Sequence, residues 1–195
     1  MNTASPRLRR AYFECRHGQL HVHNAIPNGG GFDELTTLIC LHGSNGTGRM
    51  FLELSKRLGT SRSIYSPDLP GCGESDTAAD PLSVSAYADA IGDFLDSMRF
   101  RQVDLLGAGV GGAVAAELAI GRPKVVRKVG MLGTPTHDAE AATSGKRILR
   151  DAASQWNAER RQLISQPLLA LEQVPDVDAA TDSLARQLTA FFASA

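Results

Sequence analysis

The chain has 195 residues, 43% of them apolar and 21% charged, with a formal net charge of −1. That composition fits one soluble globular domain able to bury its own core, with no need of a metal or disulfide staple. Near-neutrality removes any electrostatic argument for nucleic acid or an anionic membrane, and no window approaches the roughly 20 apolar residues that a membrane span requires.

The first segment, Met1–Arg10, carries Arg7, Arg9 and Arg10 without an apolar stretch after them, so no secretory leader is expected and the cytoplasm is the default compartment. Ala11–Cys15 and Gln19–His23 alternate apolar and polar residues around His17-Gly18, which predicts an antiparallel hairpin with one wet face. His21 and His23 share a strand face at i, i+2. A third ligand is missing beside them in the sequence, so no metal site is expected. Asn28–Gly31 reads as a turn.

From there short apolar runs alternate with helix-length amphipathic segments. Strands are predicted at Thr37–Leu41, Ser63–Ser66, Val103–Leu106 and Val125–Leu132, and helices at Met50–Leu58, Ser83–Met98 and Gly111–Ile120. Strands alternating with helices form βαβ units and a parallel sheet. After Pro135 the rhythm stops: a loop is expected at His137–Gly145 and helices at Lys146–Ile164 and Asp178–Ala193. The short run Leu168–Leu171 fits either strand or helix. Cys15, Cys40 and Cys72 show no metal-ligand spacing and suit a reducing compartment, with Cys40 in the core and Cys72 read as structural rather than reactive.

Three segments carry the chemistry. His42-Gly43-Ser44 follows a strand, and its small residues let backbone N–H groups turn towards developing negative charge. Asp68-Leu69-Pro70-Gly71-Cys72-Gly73-Glu74-Ser75 forms a tight loop after the next strand. Gly107-Ala108-Gly109-Val110-Gly111 is a strand-to-helix turn. In this order the three resemble the oxyanion loop, the loop after the fourth strand, and the nucleophile elbow of the α/β-hydrolase family, over about residues 11–135.

The resemblance implies a three-layer α/β sandwich with a mostly parallel sheet, as a single domain over 1–195: a family-like core at 11–135 and a helical tail at 136–195. It also places Gly109 where the family pattern has its nucleophile. With no side chain, Gly109 cannot attack a carbonyl. The 60 residues after Pro135 are expected to be too few for a lid and two further strands with their helices, which predicts a sheet truncated on its C-terminal side without an evident lid. His137 and Asp138 are adjacent, so they make a poor catalytic dyad.

These points favour a catalytically degenerate hydrolase-like protein without cofactor. Its partner would be a small carbonyl or anionic ligand at a pocket formed by His42, Gly43, Ser44, Ala108, Gly109 and Val110, or alternatively a protein or a second copy of the chain. Loss of the serine with the fold kept also resembles the N-myc downstream-regulated family, as an analogy. Weak or unconventional ester hydrolysis, with water positioned near His42, is the second reading. A dinucleotide site is the third, because Gly107–Gly112 also satisfies G-x-G-x-x-G. The carboxylate expected about 20 residues further on, at the end of the next strand, is missing.

Overall fold

A computed structural model describes residues 5–29, 35–44, 46–133, 162–171 and 181–194. Its strands are β1 (Arg7–Cys15), β2 (Gly18–Ile26), β3 (Leu38–Leu41), β4 (Ile64–Pro67), β5 (Val103–Ala108), β6 (Val126–Leu132) and β7 (Leu168–Leu171). Its helices are α1 (Leu52–Leu58, entered through a 3-10 turn at Gly48–Phe51), α2 (Val84–Ser97), α3 (Val110–Gly121) and α4 (Thr181–Ala193).

The strands form one sheet in the order β1-β2-β4-β3-β5-β6-β7. The hairpin β1–β2 joins β4 antiparallel, and the remaining pairs run parallel. Successive strand residues point to opposite faces, so Leu38 and Cys40 face one layer while Ile39 and Leu41 face the other. Against the first layer lie Phe51, Leu54 and Leu58, together with Leu184, Leu188 and Phe192 of α4. Against the second lie the apolar faces of α2 and α3. The expected three-layer sandwich is what forms.

The hairpin strands run longer than expected, nine residues each, because cross-strand pairing carries β1 back through Arg7–Arg10 where no alternation marks a strand. These arginines lie on an edge strand, a position where charge discourages pairing with another chain. Ser83 caps α2 by accepting from the Ala86 N–H, as its place before the apolar stripe predicts.

Two expectations about the tail are corrected. The sheet does not end at β6, because Leu168–Leu171 pairs parallel to Val129–Leu132 as a seventh strand. For the same reason residues 136–195 are not wholly helical. A four-residue apolar run has no readable period, whereas the unpaired edge of β6 offers a row of backbone groups for it to satisfy. The predicted helix at Asp178–Ala193 is present as α4, and its stripe of Leu184, Leu188 and Phe192 covers the sheet face beside α1. His137, Asp138, Trp156 and most of the helix predicted at Lys146–Ile164 lie outside the described residues, as do Asn45 and part of the Asn28–Gly31 turn.

Candidate functional site

The chain order changes direction in the sheet around β3, whose neighbours are β4 on one side and β5 on the other. Loops leaving adjacent strands at such a point diverge to opposite faces and leave a crevice beyond the carboxyl ends of the strands. The loop after β3, His42-Gly43-Ser44, and the turn after β5, Gly109, meet there. A Cβ placed on Gly109 would lie 3.8 Å from the Gly43 Cα, and one on Gly43 would lie 3.4 Å from the Ala108 carbonyl oxygen.

Gly109 caps α3 with φ 52° and ψ −121°, a conformation that L side chains adopt only at a cost. Its N–H donates to the Leu132 carbonyl at 3.0 Å, tying the turn to the end of β6. The helix then starts at once. The N–H groups of its first turn have no carbonyl one turn back to bond, so those of Val110 and Gly111 are free of intrahelical partners. Ala108 and Val110 are buried, whereas Gly109, Gly43 and Ser44 are partly exposed. The residues of these loops that reach the surface of the crevice are therefore Gly43, Ser44 and Gly109.

The turn depends on glycine on both flanks. A Cβ at Gly107 would come within 2.3 Å of the Gly111 carbonyl oxygen, and one at Gly111 within 2.2 Å of the Leu41 carbonyl oxygen. Both are backbone contacts, so the close seating of α3 on β3 and β5 rests on those two residues. The space at Gly109 is open by comparison.

His42 lies beneath the crevice. It is fully buried, and the Leu69 N–H donates to its Nε2 at 2.9 Å while its Nδ1 lies 2.8 Å from the Gly43 carbonyl oxygen. Leu69 can only donate and the carbonyl can only accept, so these partners require the Nδ1–H tautomer. Burial holds the imidazole below its ordinary pKa, against the opposing effects of the Gly43 carbonyl and Asp68, and keeps the neutral form that this role needs. With both nitrogens engaged, His42 staples the loop after β3 to the loop after β4 and has no nitrogen left to activate a water.

The sequence marked Asp68 only as the first residue of the loop after β4, with no role of its own. Asp68 is buried, and its carboxylate accepts from the Gly48 N–H at 2.6 Å, the Glu74 N–H at 3.0 Å and His21 Nδ1 at 2.9 Å. Its pKa is lowered: burial alone would raise it, and these hydrogen bonds outweigh that effect. The only hint in the sequence is a carboxylate placed directly after an apolar strand. The cysteines remain thiols at neutral pH, because burial pushes Cys72 up to about 11 and Cys40 up to about 12.

A cavity of about 430 Å3 lies elsewhere, between the hairpin and α1, lined by residues that include Arg10, His23, Asn24, Arg49 and Leu52. None of the elbow residues lines it. No helix among the described residues is long and apolar enough to cross a membrane.

Residues 38–195 match the alpha/beta hydrolase family. The chain belongs to that family. Lipase LipV of Mycobacterium tuberculosis is 33% identical over 129 residues, covering 66% of this chain and 45% of the lipase. The pimeloyl-[acyl-carrier protein] methyl ester esterase of Neisseria meningitidis is 33% identical over 97 residues, covering 50% of this chain and 36% of the esterase. The chain thus spans less than half the length of these relatives. Among solved structures, a serine-to-glycine variant of the N-acyl homoserine lactonase AidH, complexed with N-hexanoyl homoserine lactone, aligns with a TM-score of 0.73 at 16% identity, covering 94% of this chain and 97% of that one. Cfl2 of Burkholderia cenocepacia aligns with a TM-score of 0.73 at 15% identity over 96% of this chain and 99% of that one. At such identities the likeness is one of fold. For a member of this family, the G-x-G-x-x-G match is a turn after the fifth strand among the described residues, and the next strand ends at Met131-Leu132, followed by Gly133, without a carboxylate to hold a ribose.

Proposed function

We propose that this α/β-hydrolase family member is catalytically degenerate and binds a small carbonyl or carboxylate ligand in the crevice between Gly43-Ser44 and Gly109-Val110. The observation that carries this reading is the turn at Gly109, which keeps the strained backbone and the helix N-terminus of a nucleophile elbow while offering no side chain that could attack. The N–H groups at Ser44, Val110 and Gly111 would face the ligand oxygen, and donors of this kind stabilise negative charge whether or not a covalent bond follows. The AidH variant with glycine in place of serine is complexed with an N-hexanoyl lactone, whereas another AidH structure is complexed with N-butanoyl homoserine. That contrast is consistent with a glycine-bearing hydrolase fold holding an acyl ligand.

The relatives named as lipase and methyl ester esterase favour a second reading, residual hydrolysis of carboxylic esters. His42 cannot serve as its base while both ring nitrogens are engaged. Titration with hexanoate and with methyl hexanoate, followed by chromatographic recovery of the ester, separates the two. Saturable binding with the ester recovered intact is expected. Binding and an oxyanion hole alone leave acceleration of about 10³–10⁴-fold over water, so multiple-turnover hydrolysis clearly beyond that level would overturn the non-catalytic reading.

A further inference from the structure

The face of β2 opposite the crevice helices carries His21 and His23, with Tyr12 and Arg10 of β1 directly across from them. His21 is buried to 1% exposure and its ring is held on one side only: Nδ1 lies 2.9 Å from Asp68 Oδ2. Asp68 also accepts two backbone N–H groups, so it is a carboxylate and His21 Nδ1 carries the proton. That leaves the lone pair of His21 Nε2 facing inward, buried and without a hydrogen-bond partner. A buried polar atom left unsatisfied costs about 1–3 kcal/mol and calls for a physical reason.

The surroundings of that lone pair supply one. The His23 ring stands at 84° to His21 with 4.6 Å between centroids. Glu74 Oε2 lies 3.9 Å from His21 Nε2, on a half-exposed side chain steadied by the Tyr12 hydroxyl, which donates to it at 2.8 Å. His21, His23 and Asp68 each bring one ligand atom within 4.8 Å of the others. A histidine that binds a metal characteristically donates its second ring N–H to a carboxylate, which fixes the tautomer and the ring orientation. Asp68 does this for His21. His23 lines the 430 Å3 cavity beside the hairpin, so an ion has a route from solvent.

We propose that His21 through Nε2, His23 and Glu74 bind a divalent transition-metal ion of the zinc class, with Asp68 orienting His21 and water completing the coordination. Two imidazoles and one carboxylate form a ligand set that suits such an ion. Zinc bonds of about 2.0–2.2 Å place tetrahedral ligand atoms about 3.3–3.5 Å apart, so the half-exposed Glu74 side chain, with Oε2 at 3.9 Å from His21 Nε2, must swing inward to close the site. Burial, with His21 alongside, holds the His23 imidazole below its ordinary pKa and therefore in the neutral form that ligates. The third ligand that the sequence around His21 and His23 lacks comes from a loop some fifty positions away.

The test is calorimetric titration of the chelator-treated full chain with zinc chloride, read together with the thermal midpoint. One equivalent binding at micromolar concentration or below, with a rise in midpoint, is expected. Glu74→Gln, at a half-exposed position that leaves the fold intact, and His23→Gln should each weaken binding at least about tenfold, while His17→Gln in the hairpin turn leaves it unchanged. Binding that survives both Glu74→Gln and His23→Gln would overturn the site. So would binding seen only at millimolar zinc.

Discussion

Replacing Asp104 with alanine is expected to lower the unfolding free energy by about 3–5 kcal/mol, read from the midpoint of a denaturant titration. Asp104 is the second residue of the central strand β5 and is fully buried. Arg127 grips it with Nε at 2.9 Å and Nη2 at 2.6 Å, and Arg62, itself buried, approaches at 3.2 Å. Arg127 and Lys128 then bond carbonyls at the end of α4, those of Phe191 and Phe192, and that of Ser194 just after it. The cluster therefore fastens the final helix to the base of the sheet, with cations at the helix end where the dipole favours them.

Without Asp104, the Arg62 guanidinium stays buried with no counter-charge, and its Nη2 already lacks a hydrogen-bond partner. Breaking a buried pair costs more than never having had it, so the double variant Arg62→Met with Asp104→Leu should recover most of the loss. If Asp104→Ala alone costs less than about 1 kcal/mol, the cluster does not anchor α4.

The second large effect belongs to the elbow. Gly111→Ala is expected to destabilise by about 3 kcal/mol, the upper end of ordinary overpacking, because its Cβ would meet the Leu41 carbonyl oxygen at 2.2 Å and the His42 carbonyl oxygen at 2.6 Å. Backbone cannot rotate away, so α3 must lift from β3. Gly109→Ser should behave differently two residues earlier. Its Cβ has only the Gly43 Cα within 4 Å, so the penalty is the positive φ alone, about 1–2 kcal/mol. Thermal midpoints of the two variants measured side by side should separate clearly. Equal midpoints would mean that the helix does not rest on β3 as closely as the backbone positions indicate.

The contrast reflects what a sequence can carry. The glycines at 107, 109 and 111 are legible because close approach and positive φ both demand glycine at fixed spacing after an apolar strand. Four parallel strands and the helices between them were legible for a similar reason, since each strand-to-helix switch changes the period of the apolar residues. The seventh strand was not, because Leu168–Leu171 is four residues long and becomes a strand through the edge of β6 that it pairs with. His42 was legible as part of the loop after β3, but not its burial or its partners. A histidine beside small residues suggests chemistry, whereas its tautomer and burial follow from Leu69, 27 positions away. The bond from His21 to Asp68 spans 47 positions, and only the antiparallel seating of β2 on β4 brings the two together.

The proposal that the crevice acts without a covalent intermediate is tested most directly by incubating the parent chain with a fluorophosphonate probe and measuring its intact mass. An unchanged mass is expected if Gly109 stands where a nucleophile would be labelled, as proposed. Addition of one phosphonyl group, at Ser44 or anywhere else lining the crevice, would contradict it.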